Sequence, residues 1–149
     1  MAHATRENLG YLLAKASQRW NELLQEGFAE VGYPEVRASY GSVLIPLLEE
    51  DGLRMGEIAR RARLSKQTMT TMVRLCERNG LVERRPDPGD ARATRVYLTA
   101  KARRFQPAAE CVLARLEREA RRSLGEPRLT ELRHALKALS QSSAHRPGA

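Results

Sequence analysis

A stretch near the middle of the chain places hydroxyl, amide and cationic side chains on one face of a predicted helix. Met69, Met72, Val73 and Cys76 recur at helical spacing and define an apolar stripe. The side chains that face away from this stripe are Lys66, Gln67, Thr70, Thr71 and Arg74. Hydroxyls and amides can bond base edges, while lysine and arginine bind phosphates. The pattern therefore predicts a helix that buries one side and presents the other to a duplex groove.

A shorter helix is predicted directly before this one, over residues 55–62, with its apolar side chains on one face. Residues 63–65 form a tight turn in which Ser65 is suited to cap the following helix. Gly80 is suited to end that helix, because glycine adopts the left-handed conformation common there. Two helices joined in this way form a helix-turn-helix.

A β-hairpin is predicted after Gly80. Residues 81–85 and 94–99 have the composition of short strands, and the turn-rich residues 86–92 join them. Leu53-Arg54-Met55 can add a short third strand. The hairpin would carry a basic tip.

Long amphipathic helices are predicted on both sides of this unit, over residues 5–31, 36–50, 100–123 and 128–139. A bend is expected near Pro46, since proline removes one backbone donor. The residues predicted to face inward around it are Tyr40, Val43, Leu44, Leu47 and Leu48. The outer helices carry more apolar face than the central unit can cover.

The positive charge of the chain is concentrated in the central unit. The whole chain has a net charge of +8. Residues 53–104 hold 14 Lys and Arg against 5 Asp and Glu, while the remaining residues hold 12 against 13. Because the excess lies on the helix-turn-helix and hairpin, it favours nucleic acid over a membrane surface.

Other function classes find little support in the sequence. No apolar run approaches the ~18–20 residues of a membrane span, and the N-terminus lacks a signal-peptide core, so a cytoplasmic protein is expected. Cys76 and Cys111 lie in no paired motif and the three histidines are scattered, which predicts no disulfide scaffold, metal site or cofactor. For both cysteines, an inert role is favoured over redox sensing. No catalytic triad or phosphate-binding glycine loop indicates an enzyme.

Five short motifs follow one another at fixed spacing through the central unit. They are LRMGEIA (53–59), LSKQTMT (64–70), NGLVER (79–84), DPGDAR (87–92) and VYLT (96–99). Together they resemble the MarR family of multiple-antibiotic-resistance-type regulators. The resemblance implies a mainly α fold with a small β wing, that is, a winged helix-turn-helix with long N- and C-terminal dimerisation helices. It implies a single domain over 1–149, with a dimerisation part at 5–50 and 105–143, a DNA-binding part at 53–104 and a flexible tail at 140–149.

The residues and the resemblance together give a set of candidate DNA contacts. They are Ser65, Lys66, Gln67, Thr68, Thr70, Thr71, Arg74, Arg84, Arg85, Asp90, Arg92 and Arg95. Gln67 is suited to adenine, and Arg74 to guanine or a phosphate. The resemblance implies that Arg92 enters the minor groove and that Asp90 fixes the tip or the Arg92 side chain. Open alternatives remain: the threonines as a solvated face, Thr68 bonded to the backbone, and the other wing arginines lying along the hairpin.

Control by a small molecule is the usual mechanism in the family, through a cleft beside the dimer helices. The resemblance gives Trp20, Tyr33, Arg37 and Tyr40 as candidate ligand-binding residues, with core or interface packing as the alternative for Trp20 and Tyr40.

The expected function is that of a sequence-specific DNA-binding transcriptional regulator. It would be a homodimeric repressor of a near-palindromic site on double-stranded DNA, relieved by a small-molecule ligand. The alternatives are a sequence-tolerant DNA-organising protein and, for the outer helices, an intramolecular bundle.

Overall fold

The computed structural model describes residues 5–142. This part of the chain contains six α-helices, one 3-10 turn and a three-stranded sheet. The elements in chain order are α1 (Leu9–Glu30), the 3-10 turn (Ala38–Tyr40), α2 (Gly41–Glu49), β1 (Leu53–Arg54), α3 (Met55–Ala62), α4 (Lys66–Arg78), β2 (Val82–Asp87), β3 (Asp90–Leu98), α5 (Ala100–Leu124) and α6 (Glu126–Gln141). The predicted mainly α fold with a small β wing is confirmed.

The first helix begins at Leu9 rather than at Thr5, because a strong cap precedes it. The Asn8 side chain accepts hydrogen bonds from the backbone N–H groups of Gly10 and Tyr11, at 3.0 and 3.3 Å. Asparagine is among the best capping residues, since its oxygen satisfies N–H groups that have no partner within the helix.

The segment predicted as one helix over 36–50 is divided into the 3-10 turn and α2. Leu48 was predicted to face inward, and that prediction is wrong: its side chain is 40% exposed. On a helical wheel, the buried side of α2 runs from Pro46 through Val43 to Leu44. Leu48 lies next to Leu44 on this wheel, just outside the buried side. The bend expected near Pro46 stays a prediction.

The wing is a three-stranded antiparallel sheet in the order β1-β3-β2. The predicted third strand is confirmed, with Leu53 opposite Val96. The strands extend further than predicted, so that only Pro88 and Gly89 lie between them. Pro86 suggested an earlier turn, but it pairs with Thr94 in the ladder. An edge strand tolerates proline because the missing N–H is needed by no neighbour.

The core of the winged helix holds the predicted stripe of α4. Met69, Val73 and Cys76 are fully buried, and Met72 is half-buried. They lie in a core whose largest fully buried members from other elements include Leu47, Ile58, Leu81 and Val96. Burial of this stripe fixes which face of α4 is left for solvent.

The described residues form two compact units, which divide between Val112 and Leu113. In the second unit, α6 has no buried residue, and Leu132, Leu136 and Leu139 are 43–46% exposed. In the first unit, Leu9 and Leu12 of α1 are likewise exposed. The tail expected at 140–149 lies mostly outside the described residues, and α6 continues to Gln141. No helix among residues 5–142 is long and apolar enough to span a membrane.

Candidate nucleic-acid interface

The start of α4 is fixed by a local cap. The Ser65 hydroxyl accepts a hydrogen bond from the backbone N–H of Thr68 at 3.0 Å and donates its proton to the Thr68 hydroxyl at 2.8 Å. The predicted cap is therefore confirmed. Because the Thr68 oxygen acts as the acceptor in this pair, its own proton is available to a phosphate. The preceding turn is closed by Arg63 in the left-handed region, with φ of 56°.

The two threonines on the exposed face of α4 direct their protons inward. The Thr70 hydroxyl donates to the carbonyl of Lys66 at 2.8 Å, and the Thr71 hydroxyl donates to the carbonyl of Gln67 at 3.3 Å. Each threonine consequently has lone pairs and a methyl group left for a partner. In a major groove these groups suit the amino groups of adenine or cytosine and the methyl group of thymine.

The long polar side chains of α4 are free to reach outward. Lys66 and Gln67 are exposed, and their side chains form no hydrogen bond or ion pair within residues 5–142. Arg74 is exposed too, and its charge contributes to lowering the pKa of Glu77 one turn later. The exposed face of α4 thus combines two cations, one amide and two oriented hydroxyls.

The tip of the wing is ordered by two carboxylates acting on the backbone. Asp87 accepts a hydrogen bond from the N–H of Gly89 at 2.8 Å, and Asp90 accepts one from the N–H of Arg92 at 3.0 Å. These bonds define the turn and its return into β3. The Arg92 side chain is exposed and has no ion pair in the described part of the chain.

The three other candidate arginines of the wing are all paired. Arg84 forms a bidentate pair with Glu77 of α4, at 3.0 and 2.9 Å. Arg85 is paired with Glu83 and lies 4.6 Å from the centre of the Tyr97 ring. Arg95 donates from Nε to Asp87 at 2.9 Å and from Nη1 to the carbonyl of Gly52 at 3.0 Å. Their predicted role as DNA contacts stays a prediction.

Two of the acids in these pairs, Glu77 and Asp87, are held in their charged form. The guanidinium of Arg84 lowers the pKa of Glu77. The pKa of Asp87 falls to about 2, chiefly because of the Gly89 N–H, with further lowering by Arg54 and Arg95. Both acids therefore offset arginine charge at the wing base at neutral pH.

Comparison with known proteins agrees with this geometry. Residues 39–93 match the model of the MarR family. The HTH-type transcriptional regulator TtmR of Methylorubrum extorquens (strain PA1) is 34% identical over 83 residues, which span 56% of this chain and 40% of that protein's length. The match to the family model spans the helix-turn-helix and the tip of the wing. The resemblance that the motifs indicated is confirmed.

Solved structures share this fold over most of the chain. The repressor CouR, solved bound to a 23-mer DNA duplex, has a TM-score of 0.78 and 26% identity, covering 93% of this chain and 99% of its own. The PcaV regulator of Streptomyces coelicolor, solved with its natural ligand, has a TM-score of 0.78 and 21% identity, covering 97% and 100%. Family and fold are those of transcriptional regulators.

The end of α4 forms a polar junction that the sequence did not predict. The Asn79 amide donates to the Tyr40 hydroxyl at 2.8 Å, and Lys101 donates to the Asn79 carbonyl at 2.8 Å while pairing with Glu35 at 2.7 Å. Thr99 donates to the carbonyl of Gly80 at 2.6 Å. The predicted role of Gly80 is confirmed by its φ of +73°. These contacts link residues that are 19 to 66 positions apart, so no local pattern could show them.

The candidate ligand-binding residues have different surroundings. Tyr40 is buried and bonded to Asn79, while Tyr33 packs edge-on against Phe105 with ring centres 5.0 Å apart. Trp20 is half-buried, and Arg37 is exposed. The contacts of Tyr40 support the packing alternative, and a ligand role for these four residues stays a prediction.

The buried cysteine has the surroundings of a core residue. Burial raises the pKa of the Cys76 thiol to about 12, so the nucleophilic thiolate is scarce at neutral pH. Cys111 is exposed on α5. Among residues 5–142 no three His, Cys, Asp or Glu side chains are grouped as a metal site would require.

Proposed function

We propose that this protein is a sequence-specific DNA-binding transcriptional regulator, with α4 in the major groove and the wing tip in the minor groove. One observation carries the proposal. Three cations that have no ion pair in the described part of the chain, Lys66 and Arg74 on α4 and Arg92 at the tip, lie on the two elements that a winged helix presents to DNA. The likeness to CouR, which was solved bound to a DNA duplex, supports DNA binding.

Specific reading would come from the short side chains of α4. Gln67 is suited to the paired donor and acceptor of adenine, and Thr70 and Thr71 offer acceptors and methyl groups. Arg74 would bind guanine or a phosphate, and Ser65 and Thr68 would order the first turn against the backbone. Arg92 would enter a narrow minor groove, where negative potential is high.

The regulator would act as a homodimer. Leu9 and Leu12 of α1 are exposed in the first unit, and Leu113 of α5 and the leucines of α6 are exposed in the second. Each set is apolar surface that a second copy would cover. Two-fold symmetry would place two copies of α4 about 34–36 Å apart, matching one turn of B-DNA and a near-palindromic site.

Repression relieved by a small molecule is the form of control we propose. The likeness to PcaV, which was solved with its natural ligand, supports an effector. Trp20, Tyr33, Arg37 and Tyr40 remain the candidate ligand-binding residues. A ligand would lower operator affinity by favouring a dimer whose two α4 helices no longer match successive major grooves.

The test is binding to the DNA that flanks the protein's own coding region, measured by fluorescence anisotropy with excess unrelated duplex and a salt series. We expect one near-palindromic site, bound by two chains, with a log-log salt slope of about −5 to −9 for ~6–10 phosphate contacts. Equal affinity for all duplexes would overturn specific regulation and favour the DNA-organising alternative. Binding by one chain per site would overturn the dimer.

A further inference from the structure

Asp87 is the one charged side chain that is buried among residues 5–142, with 5% of its surface exposed. Its Oδ2 atom accepts hydrogen bonds from Arg54 at 2.7 Å and from Arg95 at 2.9 Å, and its Oδ1 atom accepts one from the Gly89 N–H. A single carboxylate therefore joins the wing turn to two arginines on other strands.

The two arginines are direct neighbours in the sheet. Arg54 of β1 lies opposite Arg95 of β3, and Arg95 lies opposite Arg85 of β2. Directly opposed like charges on adjacent strands repel each other. Without an acid, this row of three arginines would be a strongly cationic strip across the wing.

From this geometry we propose that Asp87 is a specificity-determining residue, which binds both Arg54 and Arg95, offsets one of their two positive charges, and so keeps them from binding phosphates of any sequence. The inference rests on the proposed DNA-binding function and deepens it. Phosphate contacts raise affinity for every duplex equally, whereas base contacts discriminate between sequences. Masking two cations at the wing base therefore favours the contacts made by α4 and the wing tip.

The arginines are placed so that their release would matter. The Arg54 side chain is 51% exposed and that of Arg95 is 39% exposed, so both guanidinium groups already reach solvent. Arg54 also directly precedes α3, the first helix of the helix-turn-helix. Asp87 thus connects the tip of the wing to the entrance of the DNA-reading unit.

The first variant is Asp87→Asn, which keeps an oxygen for the Gly89 N–H and removes the charge. We expect affinity for an unrelated duplex at about 0.1 M salt to rise roughly 5–50-fold, and its salt slope to steepen by about 1–2 units, as one or two phosphate contacts are gained. The preference for the operator over unrelated DNA should fall at least fivefold, because the gain favours every sequence.

The matched control is Glu7→Gln, which raises net charge by the same unit outside the sheet. It should leave both the slope and the preference unchanged. The second variant, Arg54→Gln combined with Asp87→Asn, should bring the slope for unrelated DNA back by about one unit. Asp87→Glu keeps the charge, and its slope should stay close to that of the unaltered protein even if the turn is disturbed.

An unchanged slope and preference in a folded Asp87→Asn protein would overturn the inference, as would an equal change in Glu7→Gln. If Asp87→Asn fails to fold, Asp87→Glu decides: a steeper slope there would also overturn it. Failure of the proposed function gives a different result, since the unaltered protein would then show no preference between operator and unrelated DNA.

Discussion

The base and the tip of the wing use arginine in opposite ways. At the base, Arg84, Arg85 and Arg95 are each paired with an acid of the same chain. At the tip, Arg92 has its backbone N–H fixed by Asp90 and its side chain exposed. The difference shows that the count of 14 basic residues in 53–104 overstates the number of cations available to phosphates, because several are paired with acids of the same unit.

The largest expected effect is at the tip. Arg92→Ala should weaken operator binding by about 1–3 kcal/mol at matched salt, since it removes a groove contact that no other residue replaces. The salt slope should become shallower by about 0.9 for each chain of the dimer. Anisotropy titrations at several salt concentrations measure both quantities. Unchanged affinity would remove Arg92 from the interface and abolish the contrast between tip and base.

A smaller effect is expected at the base. The double variant Glu77→Ala/Arg84→Ala removes a neutral pair, so the salt slope should stay the same and operator affinity should change by less than about threefold. The same titrations measure it, with Arg92→Ala as the comparison. A slope that becomes shallower by about 0.9 would mean that Arg84 leaves Glu77 to bind a phosphate.

The polar junction at the end of α4 contains a hydrogen bond between two uncharged side chains, Asn79 and Tyr40. Tyr40→Phe removes the hydroxyl that accepts from Asn79, leaving a part-buried amide with only the Leu75 carbonyl. We expect the free energy of unfolding to fall by about 0.5–1.5 kcal/mol, measured by urea denaturation. The salt slope should be unaltered, and a change in slope would show that the junction alters charge placement as well.

The smallest effect should be on the stability of the fold at low pH. The pKa of Asp87 is about 2, below its usual 3.8, so its contribution to stability is complete above pH 3.8 and is lost as pH falls towards 2. Asp87→Asn should therefore reduce the loss of stability between pH 4 and 2, shifting the acid midpoint by about half a pH unit or less. Glu57, whose pKa is also lowered to about 2, should keep its share of the acid response. Identical acid curves would indicate that Asp87 is not held by its neighbours in solution.

Local patterns predicted much of the fold because their physical causes are local. The Ser65 cap joins groups three residues apart, and the α4 stripe follows from helical spacing alone. The predicted wing strands were too short, because Pro86 is a turn signal in isolation but is acceptable on an edge strand. The inward orientation predicted for Leu48 was wrong, because helical periodicity shows which face of a helix is apolar but not how much of that face neighbouring elements cover.

Neighbours along the chain account for the helix-turn-helix, its caps and the segregation of basic residues, which is why the amino-acid sequence alone predicted them. Which cations remain unpaired depends on contacts between distant parts of the chain. Arg54 meets Asp87 across 33 positions and Arg95 meets it across 8, so the pairing exists only once the sheet has formed. Charge is a property of composition, but its neutralisation depends on distances of about 3 Å, which only folding establishes.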